Sequence, residues 1–225
     1  MFPAVGASGQ FWLPALVLAT LFAIRYLVFA GVAFWIGYGA GVARQRKLQA
    51  AMPAAKQIRR ELGYSAIAVA VFGAINGVLA WLGALPHTMI YRDFEGYGAA
   101  WFVGSILPAL VAHDAWFYWT HRLLHQRRIF PLVHRIHHLS TNPTPWTSYA
   151  FHPAESVVQA LGVVLIVFVV PMHPLALVAF QTISIAVNVY GHSGYELYPR
   201  GFSRHPLGRW INTSVAHNAH HATAR

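Results

Sequence analysis

Long apolar stretches alternate with short basic ones along this chain. Residues 11–42 are apolar apart from Arg25, and 62–91 carry no Asp, Glu, Lys or Arg, their apolar part reaching Leu85. Residues 96–112 are apolar and run on into Trp116-Phe117-Tyr118-Trp119. Residues 156–195 are again free of those charges, with Pro171-Met172-His173-Pro174 in the middle. A helix needs about 20 predominantly apolar residues to cross a bilayer, so these stretches predict spanning helices. Two prolines so close together break a helix, which predicts a hairpin with arms at 156–170 and 175–191. Both arms are short for a full crossing. The expected fold is an all-α integral membrane bundle of about four to five membrane helices.

Composition agrees. Hydrophobic residues make up 56% and charged residues 10% of the 225, too little charge to solvate a globular surface. Cysteine is absent, which excludes disulfides, thiolate metal sites and iron–sulfur clusters held by this chain. The net charge is +10, and fourteen of the sixteen Lys and Arg fall in three segments: between the first two spans, between the third span and the hairpin, and in the tail. An alternating topology puts those segments on one side, which the positive-inside rule makes cytoplasmic. The expected location is the bacterial inner membrane or an equivalent one. Met1-Phe2-Pro3 lacks a basic leader and no cleavage signal follows, so the first span reads as an anchor. The basic excess is then explained by topology and by contact with anionic membrane lipids, and no nucleic-acid-binding module is visible.

Histidines carry the candidate chemistry. Eight of the fourteen lie in three boxes: His121 and His125; His134, His137 and His138; His217, His220 and His221. The H-x-x-H-H pattern is expected by chance roughly 0.05 times at this histidine frequency, and it occurs twice. On a helix, i and i+4 share a face with i+3 beside them, so each box can aim two or three imidazoles at one point. Helices are expected at all three boxes. Nothing breaks the third span between Ala109 and Arg128, Pro131 suits the first turn of the next helix, and Asn212-Thr213-Ser214 offers caps before the third box. The three boxes therefore form a helical cap on the cytoplasmic side. Eight imidazoles exceed one ion's coordination and suit two, while leaving Zn, Cu, Fe and Ni open. Paired axial haem ligands would face one another from two helices inside the bundle, which fits these boxes poorly. A zinc-dependent hydrolase and a metal transporter or sensor are the rival functions. A transporter needs polar ligands at mid-membrane depth, and few polar residues occur there.

In order and spacing the boxes resemble the fatty acid hydroxylase superfamily, which includes the sterol desaturases. The flanking Asp114-Ala-Trp-Phe-Tyr-Trp-Thr-His121-Arg122, His152-Pro153-Ala-Glu155 and Asn188-Val-Tyr-Gly-His192-Ser-Gly-Tyr-Glu196 carry it too. The resemblance implies two Fe ions, which Zn can replace in a purified protein. It implies a monooxygenase or desaturase (an oxidoreductase of lipid biosynthesis) that uses O2 on a fatty acyl chain, sterol or related isoprenoid. The implied ligands are the eight boxed histidines with His192 as a ninth, and Asn188 stands where some relatives have a further histidine. Asp114, His152 and Asn188 are expected to support the ligands from behind. Electrons must come from a partner such as ferredoxin or a cytochrome b5-like protein, for which Arg127, Arg128 and Arg204 offer a basic surface. The expected division is 1–61, an anchor helix with a basic loop, and 62–225, the catalytic domain. Relatives usually continue past the position of Arg225 with an Asn-Tyr-Gly stretch and a Trp-Asp pair, so the resemblance implies either a truncated C-terminus or a naturally short member.

Overall fold

The computed structural model describes residues 9–41, 44–94, 96–206 and 208–223. The sequence-based readings of Met1-Phe2-Pro3, Val42, Glu95 and Arg225 lie outside them. The helices are α1 (Gly9–Phe34), α2 (Ala55–Trp81), α3 (Gly98–Gly104), α4 (Ile106–Leu124), α5 (Arg135–His138), α6 (Pro153–Val169), α7 (Pro174–Gly191) and α8 (Ser214–Thr223). Among the described residues four segments are long and apolar enough to cross a membrane: Phe11–Gly39, Ala55–Trp81, Gly98–Leu124 and Pro174–Gly191. The bundle is all-α, as its apolar stretches require.

α1 and α2 form a close antiparallel pair. Gly73 and Gly77 make this possible, because a Cβ at Gly73 would stand 2.6 Å from the Ala15 carbonyl oxygen and one at Gly77 would stand 2.8 Å from that of Phe11. The opposite face of α1 leaves Leu13, Leu16, Ile24, Leu27, Val28 and Val32 exposed, a row suited to lipid acyl chains. α4, α6 and α7 pack around Ala109, Ile166, Met172 and Phe180, and α1 joins α7 through Tyr26, Ala30, Ile185 and Val189.

A short 3₁₀ helix, Pro145–Tyr149, is wedged between α1, α2 and α7. Its Trp146 carbonyl accepts from the Tyr26 hydroxyl at 2.8 Å and the Ser65 hydroxyl at 3.2 Å. Glu61 of α2 is fully buried beneath it and accepts from Thr144 at 2.6 Å and Thr147 at 2.9 Å. A carboxylate so placed keeps its oxygens hydrogen-bonded, which offsets the cost of burying it.

The polar connections sort by end. The α1–α2 loop reaches the region of the third box: Leu48 N donates to the Gly194 carbonyl at 3.0 Å, and Gln49 bonds Asn218 Oδ1 at 3.0 Å. At the other end, Met89 N donates to the Val167 carbonyl and Tyr91 N to that of Met172. The basic α1–α2 loop and the histidine boxes therefore share one end, and the Pro171–Pro174 turn lies at the other.

Three boundaries differ from the sequence expectation. α2 begins at Ala55, within the basic stretch, seven residues ahead of the charge-free run that starts at Leu62. α4 ends at Leu124 rather than running to Arg128. After Pro131 the chain makes successive turns, and only Arg135–His138 closes an α-helix. Helical hydrogen bonding here serves to deliver three imidazoles, which one turn achieves.

Candidate metal centre

Two groups of histidine nitrogens form where the ends of α4, α5, α7 and α8 meet. One holds His121, His125, His134, His138 and His220; the other holds His137, His192, His217 and His221. Within each group the candidate ligand atoms lie within 4.8 Å of one another. His121 Nε2 is 2.9 Å and His125 Nε2 is 3.1 Å from His220 Nε2. In the second group His192 Nε2 stands 2.8 Å from His217 Nε2 and 3.2 Å from His137 Nε2.

The second and third boxes do not aim at single points, as the sequence suggested. Each splits by helical position: His134 and His138, one turn apart, enter the first group while His137 enters the second. His217 and His221 enter the second group while His220 enters the first. The i+3 ring is rotated away from the i, i+4 pair, and a neighbouring group stands there to receive it.

The nitrogens suit metal ions. His134 Nε2, His137 Nδ1 and both ring nitrogens of His138 and His221 are buried without a hydrogen-bond partner. Orphaned buried polar atoms are costly unless an ion occupies the space between them. Four or five nitrogens each about 2.1 Å from one ion would be at most about 4.2 Å apart, close to the spacing seen. Burial, reinforced by neighbouring imidazoles, pushes His134 and His138 down to about 2. Burial likewise brings His192 to about 4 and holds His137, His217 and His221 well below the ordinary histidine range. The rings are thus neutral, the form that binds metals.

Behind the rings lie groups that set their orientation. His134 Nδ1 is hydrogen-bonded to Glu155 Oε1 at 2.8 Å, with both side chains buried. Burial raises the Glu155 carboxyl well above the usual carboxylate range. His192 Nδ1 bonds the Asn188 carbonyl oxygen at 2.8 Å, which turns Nε2 toward His217. Thus Asn188 supports His192 through its backbone, while its side chain donates to the Ser148 carbonyl at 2.9 Å. His152 does something else: its Nδ1 accepts from Ala154 N at 3.2 Å and caps α6, and among the described residues no hydrogen bond or ring contact joins it to the nine. Asp114 lines the adjacent cavity with His121, exposed and without a hydrogen bond to a histidine among the described residues.

Glu155 stands in a quoted motif, yet the sequence reading gives it no role. A signal existed: it is the only acidic residue between Asp114 and Glu196 in a chain with six. So scarce a charge beside an apolar helix generally has a partner. Glu196 was quoted only as part of a motif, yet its Oε2 accepts from Val215 N at 3.1 Å and caps α8, while Oε1 accepts from the Tyr190 hydroxyl. Thr213 caps the same helix, as expected, accepting from Ala216 N at 3.2 Å.

A cavity of about 1290 Å³ opens beside the histidines. It runs from His121, His217 and His220 past Tyr149 to Arg25 and Gln181 between apolar walls, and exceeds the 300–1,000 Å³ usual for small-molecule sites.

The family description "Fatty acid hydroxylase" matches residues 106–225. The chain is 31% identical over 167 residues to a Delta(7)-sterol 5(6)-desaturase of Gibberella zeae, covering 73% of this chain and 50% of that protein. It is 31% identical over 169 residues to the lathosterol oxidase of Homo sapiens, covering 73% and 54% respectively. The chain thus spans about half the length of the curated relatives it matches. No solved structure matches.

Proposed function

The chain belongs to the fatty acid hydroxylase family, and from that premise we propose that it is a membrane-bound, O2-dependent di-iron oxidoreductase that hydroxylates or desaturates a lipid. The observation that carries this reading is the pairing of two groups of converging histidine nitrogens with a long, mainly apolar cavity that ends on them. The names of two relatives, a Delta(7)-sterol 5(6)-desaturase and a lathosterol oxidase, support counting sterols and related isoprenoids with fatty acyl chains as candidate substrates.

In this reading His121, His125, His134, His138 and His220 hold one iron, and His137, His192, His217 and His221 hold the other. Bound iron would supply the oxidising power for an unactivated C–H bond, which no amino-acid side chain has. The chain's own residues do the positioning. Glu155 and the Asn188 carbonyl fix two imidazoles so that their Nε2 atoms face the centre, the usual role of groups behind metal-bound histidines. The cavity walls exclude water and admit a lipid sideways from the bilayer, laying one carbon beside His121, His217 and His220. Electrons come from a separate donor, a ferredoxin or cytochrome b5-like protein. Arg127, Arg128 and Arg204, all exposed, offer it a basic docking surface. The positive-inside rule makes this end cytoplasmic.

The test is lipid mass spectrometry of cells expressing the chain beside a His137→Ala, His138→Ala variant, with iron content and O2 uptake measured on purified protein given a reductant. A lipid gaining one oxygen marks a hydroxylase, and one losing two hydrogens marks a desaturase. Identical lipid profiles together with a metal-free protein overturn the reading.

A further inference from the structure

Granting that this cavity receives a lipid for oxidation, its mid-membrane polar residues indicate which end of the lipid lies away from the histidines. Arg25 sits at the midpoint of the apolar segment Phe11–Gly39 and borders the cavity. Its Nη2 donates to Gln181 Oε1 of α7 at 2.6 Å, and its guanidinium lies 4.9 Å from the centre of the Phe22 ring. Nη1 is buried with no hydrogen-bond partner, and no carboxylate pairs with Arg25 among the described residues. Gln159 of α6 borders the same cavity, and its Nε2 is also buried and unpartnered.

A tie between α1 and α7 needs only one neutral donor, which a glutamine would supply. A cation at membrane depth is costly and is retained where something compensates it. Here a planar fork of donors is matched by one amide oxygen, with spare donors left on Arg25 and Gln159 at the edge of a mainly apolar cavity whose lining also includes Asn76, His113 and Asp114. That pattern calls for an oxygen acceptor, best an anionic one, brought by the ligand.

We infer that Arg25, with Gln159, anchors the terminal oxygen of an amphipathic lipid, holding it remote from the carbon presented to the histidines. Gln181, the partner of Arg25, precedes His192 by eleven residues on α7, a rise of about 16 Å. The substrate class is therefore a long lipid with a carboxylate or comparable acceptor oxygen at one end, oxidised far from it.

The test is binding, which requires no turnover. The full chain in phosphatidylcholine nanodiscs is equilibrated with tritiated stearic acid, with octadecan-1-ol and octadecane as competitors. Stearic acid should bind most tightly, the alcohol should compete more weakly, and octadecane should hardly compete. Arg25→Gln, which can keep the tie to Gln181, should weaken stearic acid binding roughly tenfold or more, as for loss of a hydrogen bond to a charged group. Gln181→Leu cuts the tie but keeps the cation, and should preserve the ranking. Octadecane competing as well as the oxygenated chains, or Arg25→Gln binding like the parent, overturns the anchor. Headgroup ranking without lipid oxidation would sink the proposed activity alone, and oxidation without ranking would sink the anchor alone.

Discussion

His134 Nδ1 and Glu155 Oε1 stand 2.8 Å apart, both buried, in the one place where an acidic side chain meets the histidine groups among the described residues. A carboxylate behind a ligating imidazole fixes the ring and raises its basicity, and its loss typically costs 10–100-fold in metal affinity. Glu155→Gln keeps the shape and a hydrogen-bond acceptor but removes the basic carboxyl group. Iron or zinc affinity, measured by chelator competition, should fall by about that factor while the far-ultraviolet circular dichroism stays helical. Unchanged affinity would show that Glu155 only fills space.

The unequal groups predict unequal responses to loss of one ligand. His221→Ala leaves three imidazoles in its group, whereas His125→Ala leaves four in the other. Metal analysis should therefore give close to one ion per chain for His221→Ala and close to two, more weakly held, for His125→Ala. Equal losses would mean that the groups share ligands.

Glu196 should matter although it touches no metal-facing nitrogen. Its carboxylate receives Val215 N at the start of α8, the helix that bears three of the nine rings. Glu196→Ala removes this cap and should destabilise the protein by about 1 kcal/mol. The thermal midpoint should drop, and metal content should fall with it. A normal midpoint with normal metal content would refute the capping role.

Acid should unfold the chelated protein early. His134 and His138 titrate near 2 and His192 near 4 when folded, against about 6.5 when unfolded. Below pH 6.5 the unfolded chain binds more protons than the folded one, so stability is full above that pH and declines as pH falls. Each ring contributes up to about 1.4 kcal/mol per pH unit between its two values. Thermal midpoints of chelated protein at pH 7.5 and 5.5 test this, and an equal or higher midpoint at pH 5.5 contradicts it.

Much of the architecture is legible in one dimension because the bilayer imposes a one-dimensional rule. The hydrocarbon demands continuous apolar helices, so two spans could be read within 11–42 and 62–91 and a turn at Pro171–Pro174, though the second helix runs Ala55–Trp81, and the distribution of Arg and Lys put the boxes at one end. Helical spacing likewise marked eight histidines as a set. Other features depend on segments far apart in sequence. Whether His137 shares an ion with His138 depends on where α7 and α8 bring His192 and His221, information absent from the box itself. Asp114, seven residues before His121 on the same helix face, and His152, through the resemblance, are the expected supports, yet it is Glu155, three residues past His152, that bonds His134.

By itself, then, the sequence determined that the chain is a membrane bundle, which histidines form a set and which end they share. Those follow from solvent, charge and a 3.6-residue period. Tertiary structure alone decided the division of nine rings into five and four, the carboxylate behind one of them and the cavity leading to Arg25. Each depends on distances between helices that no local pattern specifies.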